Sequence, residues 1–167
     1  VDFQPFRPWL SAFVNTKQSE GGRAETAAML ESVYGEVQRR VSLNAQYSAA
    51  NFLELPEDVR PRRLIVVLDE FNSLIKAPKP SKPLPGAPPE AIAAYSAQLA
   101  ESTAVSYIGT YAADIAALAR SAGVSLILMG QQLKSKDLDP IPGANGIRTN
   151  MTRVLLGNST FGDKQGA

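Results

Sequence analysis

The sequence predicts an α/β fold with a parallel sheet, and three observations carry the prediction. Residues 63–69 (RLIVVLD) form an uninterrupted β-branched and leucine run. Residues 124–129 (VSLILM) read as a second buried strand. Between them, residues 90–121 are alanine-rich and helical in character. The first run has no alternation, so both of its faces are expected to be buried, as in a central parallel strand. Strands joined by a helical crossover pair in parallel.

The remaining elements follow in chain order. Residues 1–20 are aromatic-rich and broken by Pro5 and Pro8, which predicts a loop and then a short helix near Trp9–Val14. Residues 23–47 predict a long helix, because Ala27, Leu30, Val33, Tyr34, Val37 and Val41 recur every three to four residues. Glu31, Glu36, Arg39 and Arg40 are placed on its polar flanks. Asn51 to Pro61 reads as a connection, since Pro56 and Pro61 exclude regular helix. Residues 76–89 (KAPKPSKPLPGAPP) carry six prolines and three lysines, which predicts an exposed, semi-rigid, polyproline-like loop.

Within 90–121 a break is expected near Gly109, with Tyr107, Tyr111, Ile115 and Leu118 on the apolar face. Gly123 reads as the helix stop. Residues 130–150 are polar and punctuated by Pro140, Pro142, Gly143 and Gly146, so a loop is expected. Residues 152–156 (TRVLL) predict a third strand, and 157–167 a flexible tail. The 167 residues suit one domain.

Composition narrows the chemistry. The formal net charge is +1, so bulk electrostatics favour no polyanionic partner and any such contact must come from local clusters. Cysteine and histidine are both absent. That removes disulfides, thiolate or imidazole metal sites and Ser-His-Asp catalysis. The chemistry left belongs to carboxylates, Lys and Arg, hydroxyls and amides, and the matching metal is a hard, oxygen-seeking ion such as Mg²⁺. No apolar run reaches the length of a membrane span, and the N-terminus has no signal-peptide pattern. The start at Val1 suggests a piece of something longer.

One constellation stands out. The apolar run Ile65–Leu68 ends in two adjacent carboxylates, Asp69 and Glu70. In parallel sheets ligands sit beyond the carboxyl ends of the strands. At a nucleotide site one carboxylate helps to hold Mg²⁺ and a neighbour orients and deprotonates the attacking water. The bland reading, charged residues merely ending a buried strand, has about equal weight on the local pattern alone. Gln131 follows the second run after Gly130, and its amide can both donate to and accept from a phosphate or a water. The phosphate cradle G-x-x-x-x-G-K-[ST] is missing, for no Gly-Lys pair occurs in the chain. The expectation is that this half lies upstream of Val1.

Four stretches point to a family. Ser32–Asn51 (SVYGEVQRRVSLNAQYSAAN), Leu64–Leu74 (LIVVLDEFNSL), Ile115–Gln131 (IAALARSAGVSLILMGQ) and Ile147–Leu155 (IRTNMTRVL) resemble, in order, segments of the FtsK/SpoIIIE-type DNA-translocating ATPases. Relatives in conjugation and type VII secretion are similar as well. The sensor motif is usually T-Q-R-P in the DNA motors, where this chain has Gly130-Gln131-Gln132-Leu133.

The resemblance implies a RecA-like P-loop NTPase core covering residues 1–167 as one partial domain, ring assembly, and ATP-driven movement of double-stranded DNA without sequence specificity. It implies ATP and Mg²⁺ as cofactors, Asp69 as the Mg²⁺-side carboxylate, Glu70 as the catalytic base and Gln131 as the sensor. Arg153 matches a family arginine at the nucleotide, acting in cis, in trans or as a strand-edge structural residue.

Lys134, Lys136 and Arg148 are the expected phosphate contacts. Lys76, Lys79 and Lys82 of the proline-rich loop are weighed more heavily as a solvated surface. The expected location is cytoplasmic, with a parent that can be anchored at the inner face of the membrane. Two alternatives stand beside this reading: a type VII secretion ATPase moving protein, and a degenerate domain that only mediates assembly.

Overall fold

The structure, a computed structural model, describes residues 7–8, 10–15, 22–130, 138 and 144–152. Among the described residues it is a mixed helix and strand fold with a two-stranded parallel sheet flanked by helices. The elements are α1 (Gly22–Gln46), a 3₁₀ turn (Phe52–Glu54), β1 (Leu64–Leu68), α2 (Phe71–Leu74), α3 (Pro89–Ala122), β2 (Val124–Leu128) and α4 (Ala144–Asn150). The strands pair in register from Leu64 with Val124 to Leu68 with Leu128.

The long helix predicted at 23–47 is α1, and its apolar stripe is buried: Ala27, Leu30 and Val37 enter the core, with Val33, Tyr34 and Val41 at its margin. Arg40 departs from expectation. It is buried among the core-facing residues, not on the polar flank. Its Nη1 donates to the carbonyl of Ala122 at 3.2 Å and its Nε to Glu36 at 2.7 Å. One turn on, buried Asn44 donates to the carbonyl of Ser121 at 2.9 Å. Together they satisfy carbonyls at the end of α3, where a cation also complements the helix dipole.

α3 runs unbroken for 34 residues through Gly109, which is buried. Its core face is Val105, Ile108, Ala112, Ile115, Ala119 and Ala122, the four- and three-residue spacing of a helix stripe. Tyr107 lies outside that stripe and is exposed. The rest of the expected apolar face holds: Ile115 is fully buried, and Tyr111 and Leu118 pack against the core, with Tyr111 meeting Tyr34 of α1 at 5.9 Å between ring centroids. Gly123 ends the helix at φ 67, and its N–H bonds the carbonyl of Ala119.

The strands fall where the apolar runs predict, but burial alternates along β1. Val66 and Leu68 face the core, whereas Ile65 is 65% and Val67 37% exposed; Ile127 of β2 is 43% exposed. Among the described residues the helices cover one face of the sheet only, which is why the apolar run of β1 is buried on one side and Ser125 and Ile127 of β2 are exposed on the other.

Three further expectations change. Residues 10–15 form no helix; Leu10 closes a turn onto Arg7, N to O 3.2 Å. Residues 144–150, expected as loop, form α4, which packs on α3 through buried Ile147. Of the predicted third strand, Thr152 is described and is not in a strand, while residues 153–156 lie outside the described residues, as does the 157–167 tail. No helix among the described residues is long and apolar enough to cross a membrane.

Candidate functional site

The carboxylate pair sits where the sheet ladder is interrupted. Met129 N–H donates to the carbonyl of Leu68 at 2.9 Å, and Phe71 N–H donates to the carbonyl of Met129 at 2.8 Å. One residue of the second chain segment thus bonds on both sides of Asp69 and Glu70. The two acidic residues are looped out of the ladder at the carboxyl ends of both parallel strands, in the manner of a bulge.

Glu70 takes the left-handed conformation, φ 50 and ψ 42, at the start of α2. A non-glycine residue is strained there, and such strain persists only where the surroundings over-determine it. Here the surroundings are specific. Glu70 N–H bonds Asp69 Oδ1 at 2.9 Å, and the Glu70 carbonyl accepts from Ser73 N–H at 2.7 Å and Leu74 N–H at 3.3 Å. Phe71, next in sequence, is fully buried and anchors the turn. Asp69 and Glu70 are themselves half-buried.

The sequence places Gln131 beside this pair. Gln131, Lys134, Lys136 and Arg153 lie outside the described residues; the backbone leading to Gln131 is described as far as Gly130. Gly130 is in direct contact with Asn72: a β-carbon at Gly130 would lie only 2.0 Å from Asn72 Oδ1, a buried atom. Asn72 therefore links the segment after Glu70 to the segment before Gln131. Arg148 is exposed on α4, with Nη1 3.2 Å from Asn145 Oδ1. Lys76, Lys79 and Lys82 are exposed in the irregular loop between α2 and α3, as expected.

Two residues of the surroundings were not singled out from the sequence. Asn72 is one, and its place two residues after Glu70 was the available signal. Arg23 is the other. Its Nη2 donates to the carbonyls of Ser73 at 2.8 Å and Lys76 at 3.3 Å, and its Nη1 pairs with Glu101. It thereby ties the start of α1 to the end of α2 and to α3. Its partners lie 50 or more residues away, so no local pattern announces it.

Among the described residues no group of three or more acidic side chains gathers to hold a metal alone. Two adjacent carboxylates fit a cation that takes its other oxygens from water and a bound phosphate, the usual habit of Mg²⁺. In comparisons with known proteins the chain matches no family model, no curated sequence and no solved structure.

Proposed function

We propose that this chain is the carboxylate-bearing half of an ATP-driven motor core of the RecA-like P-loop type, acting on double-stranded DNA. The observation that carries the reading is the looping-out of Asp69 and Glu70 across Met129, at the carboxyl ends of two parallel strands. The D-E-F-x-x-L stretch and Gly130, the residue that precedes Gln131 in sequence, meet at that place.

In this reading Asp69 holds Mg²⁺ through its carboxylate. The ion, when bound, neutralises charge developing on the transferred phosphoryl group. Glu70 accepts the proton of the attacking water, and its left-handed backbone fixes the carboxylate against the strand ends. Gln131 senses the terminal phosphate, and Arg153 joins the nucleotide from the last core segment. Lys134, Lys136 and Arg148 track the DNA backbone without reading bases. The phosphate cradle comes from a segment outside these residues, and the assembled motor is a ring.

The test is ATP hydrolysis by the full-length protein, with and without double-stranded DNA, beside its Glu70→Gln variant. Loss of the base lowers turnover by on the order of 10²-fold or more. DNA-stimulated hydrolysis that disappears in the variant supports the motor. Hydrolysis indifferent to DNA moves the reading to a protein-secretion ATPase, and no hydrolysis in either protein moves it to an assembly domain.

A further inference from the structure

A groove of roughly 710 Å³ lies between α1 and the stretch of α3 from Ser96 to Tyr111, and neither Asp69 nor Glu70 lines it. Its floor is small and apolar, including Ala27, Ala28 and Ala104. One wall carries Tyr107 and Tyr111, stacked with ring centroids 6.2 Å apart. Glu31 is the charged residue of the lining. It lies close enough to Tyr111 to help burial hold that phenol above its usual range, burial being the larger cause. Small apolar floor, stacked aromatic wall and a carboxylate are the features by which proteins grip polyproline segments that carry a basic residue.

The same chain displays such a segment. Residues 79–85 read Lys-Pro-Ser-Lys-Pro-Leu-Pro, without an acidic residue from 76 to 89. A polyproline helix has three residues per turn, so Lys76, Lys79 and Lys82 share one edge while Pro80 and Pro83 share the next. Leu84 is 82% exposed, held at the tip by the turn that Ala87 N–H closes onto its carbonyl at 3.1 Å. A leucine so exposed is not seated in its own groove. The dimensions agree: seven residues of polyproline span about 22 Å at ~3.1 Å each, and Ser96 to Tyr111 spans about 22 Å of helix.

We propose that the proline-rich loop of one copy docks in the α1–α3 groove of a second copy. Pro80 and Pro83 pack on the Tyr107 and Tyr111 rings, Lys82 pairs with Glu31, and Leu84 enters the alanine floor. Charge complementarity selects this occupant, since the groove supplies the carboxylate and the loop only cations. Each copy carries both halves, so reciprocal exchange closes a two-fold dimer and one-way exchange builds a head-to-tail assembly. The inference is independent of any nucleotide chemistry.

Analytical ultracentrifugation of the full chain tests it, using wild type, Lys82→Glu, Glu31→Lys and the double reversal. Glu31 and Lys82 are both exposed, and circular dichroism verifies folding. The wild type is expected to self-associate with concentration. Each single reversal weakens association by at least about fivefold, and the double reversal restores it. A synthetic peptide of residues 76–88 is expected to broaden the Tyr107 and Tyr111 resonances of the wild-type protein and not those of Glu31→Lys. A wild type monomeric up to about 0.5 mM overturns the proposal, as does association that ignores the single reversals or is not restored by the double. A monomer would leave the loop to a different protein.

Discussion

Asn72 Oδ1 lies 2.0 Å from the position that a β-carbon on Gly130 would take. The residue three places after Asp69 thus sets how closely the backbone before Gln131 can approach the carboxylate turn. Gly130→Ala is expected to cost about 1 kcal/mol, because the overlapping group is a side-chain terminus that can move at the expense of its packing. In the Asn72→Ala background the cost should vanish. Urea titrations of the two singles and the double measure this coupling, and additive effects would argue against the contact.

Glu70 predicts a separation of stability from activity. Glu70→Gly relieves the left-handed strain and should stabilise the fold by on the order of 1 kcal/mol, part of the relief being offset by glycine's chain entropy. Glu70→Gln keeps the strain and should leave the melting temperature nearly unchanged. If Glu70 is the base, both substitutions abolish hydrolysis in the full-length protein. A destabilised Glu70→Gly would mean that the side chain holds the turn.

Gly123 joins α3 to β2 where no other residue fits. Its φ of 67 disfavours a side chain, and a β-carbon would lie 2.6 Å from the Phe52 ring. Gly123→Ala combines backbone strain with overpacking and is expected to cost on the order of 3 kcal/mol. Thermal denaturation monitored by circular dichroism checks it. Phe52→Ala should recover the clash component but not the strain.

Arg40 predicts a stability loss that lysine cannot repair. Its guanidinium serves Glu36 and the Ala122 carbonyl at once, from a buried position. Arg40→Ala leaves the carbonyl without this donor and is expected to cost about 2 kcal/mol. Arg40→Lys should recover less than half, because one ammonium does not reproduce the planar fork. Chemical denaturation midpoints distinguish the two.

Glu36 predicts an acid-sensitive contribution. Its carboxyl is held down from the ordinary 4.5 to about 2, first by the hydrogen bond from Arg39 and then by that from Arg40, against a cost from burial. A depressed folded value stabilises the fold fully above the unfolded value. Stability is therefore lost as pH falls from about 4.5 toward about 2. Arg39 is more than half exposed, so screening limits the effect to about 1 kcal/mol. Glu36→Gln should flatten that part of the pH profile.

Much of the architecture was legible in the chain itself. The period of Ala27, Leu30 and Val37 marked α1, the two apolar runs marked β1 and β2, and Gly123 marked the helix end. These are local signals, because periodicity and a left-handed cap are properties of neighbouring residues. The adjacency of Asp69 and Glu70 at a strand end belongs to the same class.

What only the tertiary structure decided depends on residues far apart in sequence. Arg40 is buried because the carbonyls of Ser121 and Ala122 arrive beside α1. Tyr107 lies outside the core stripe of α3, whereas Tyr111, one turn on, packs against Tyr34 of α1. The sheet buries one face because the described helices gather on one side. Glu70 is left-handed because Met129, from the other strand, bonds on both sides of the carboxylate pair. The sequence alone located α1, β1, α3 and β2 and put Asp69 and Glu70 at the end of a strand. Packing between those segments decided which face of each is buried and how the carboxylates are held, because such contacts exist only once the chain has closed on itself.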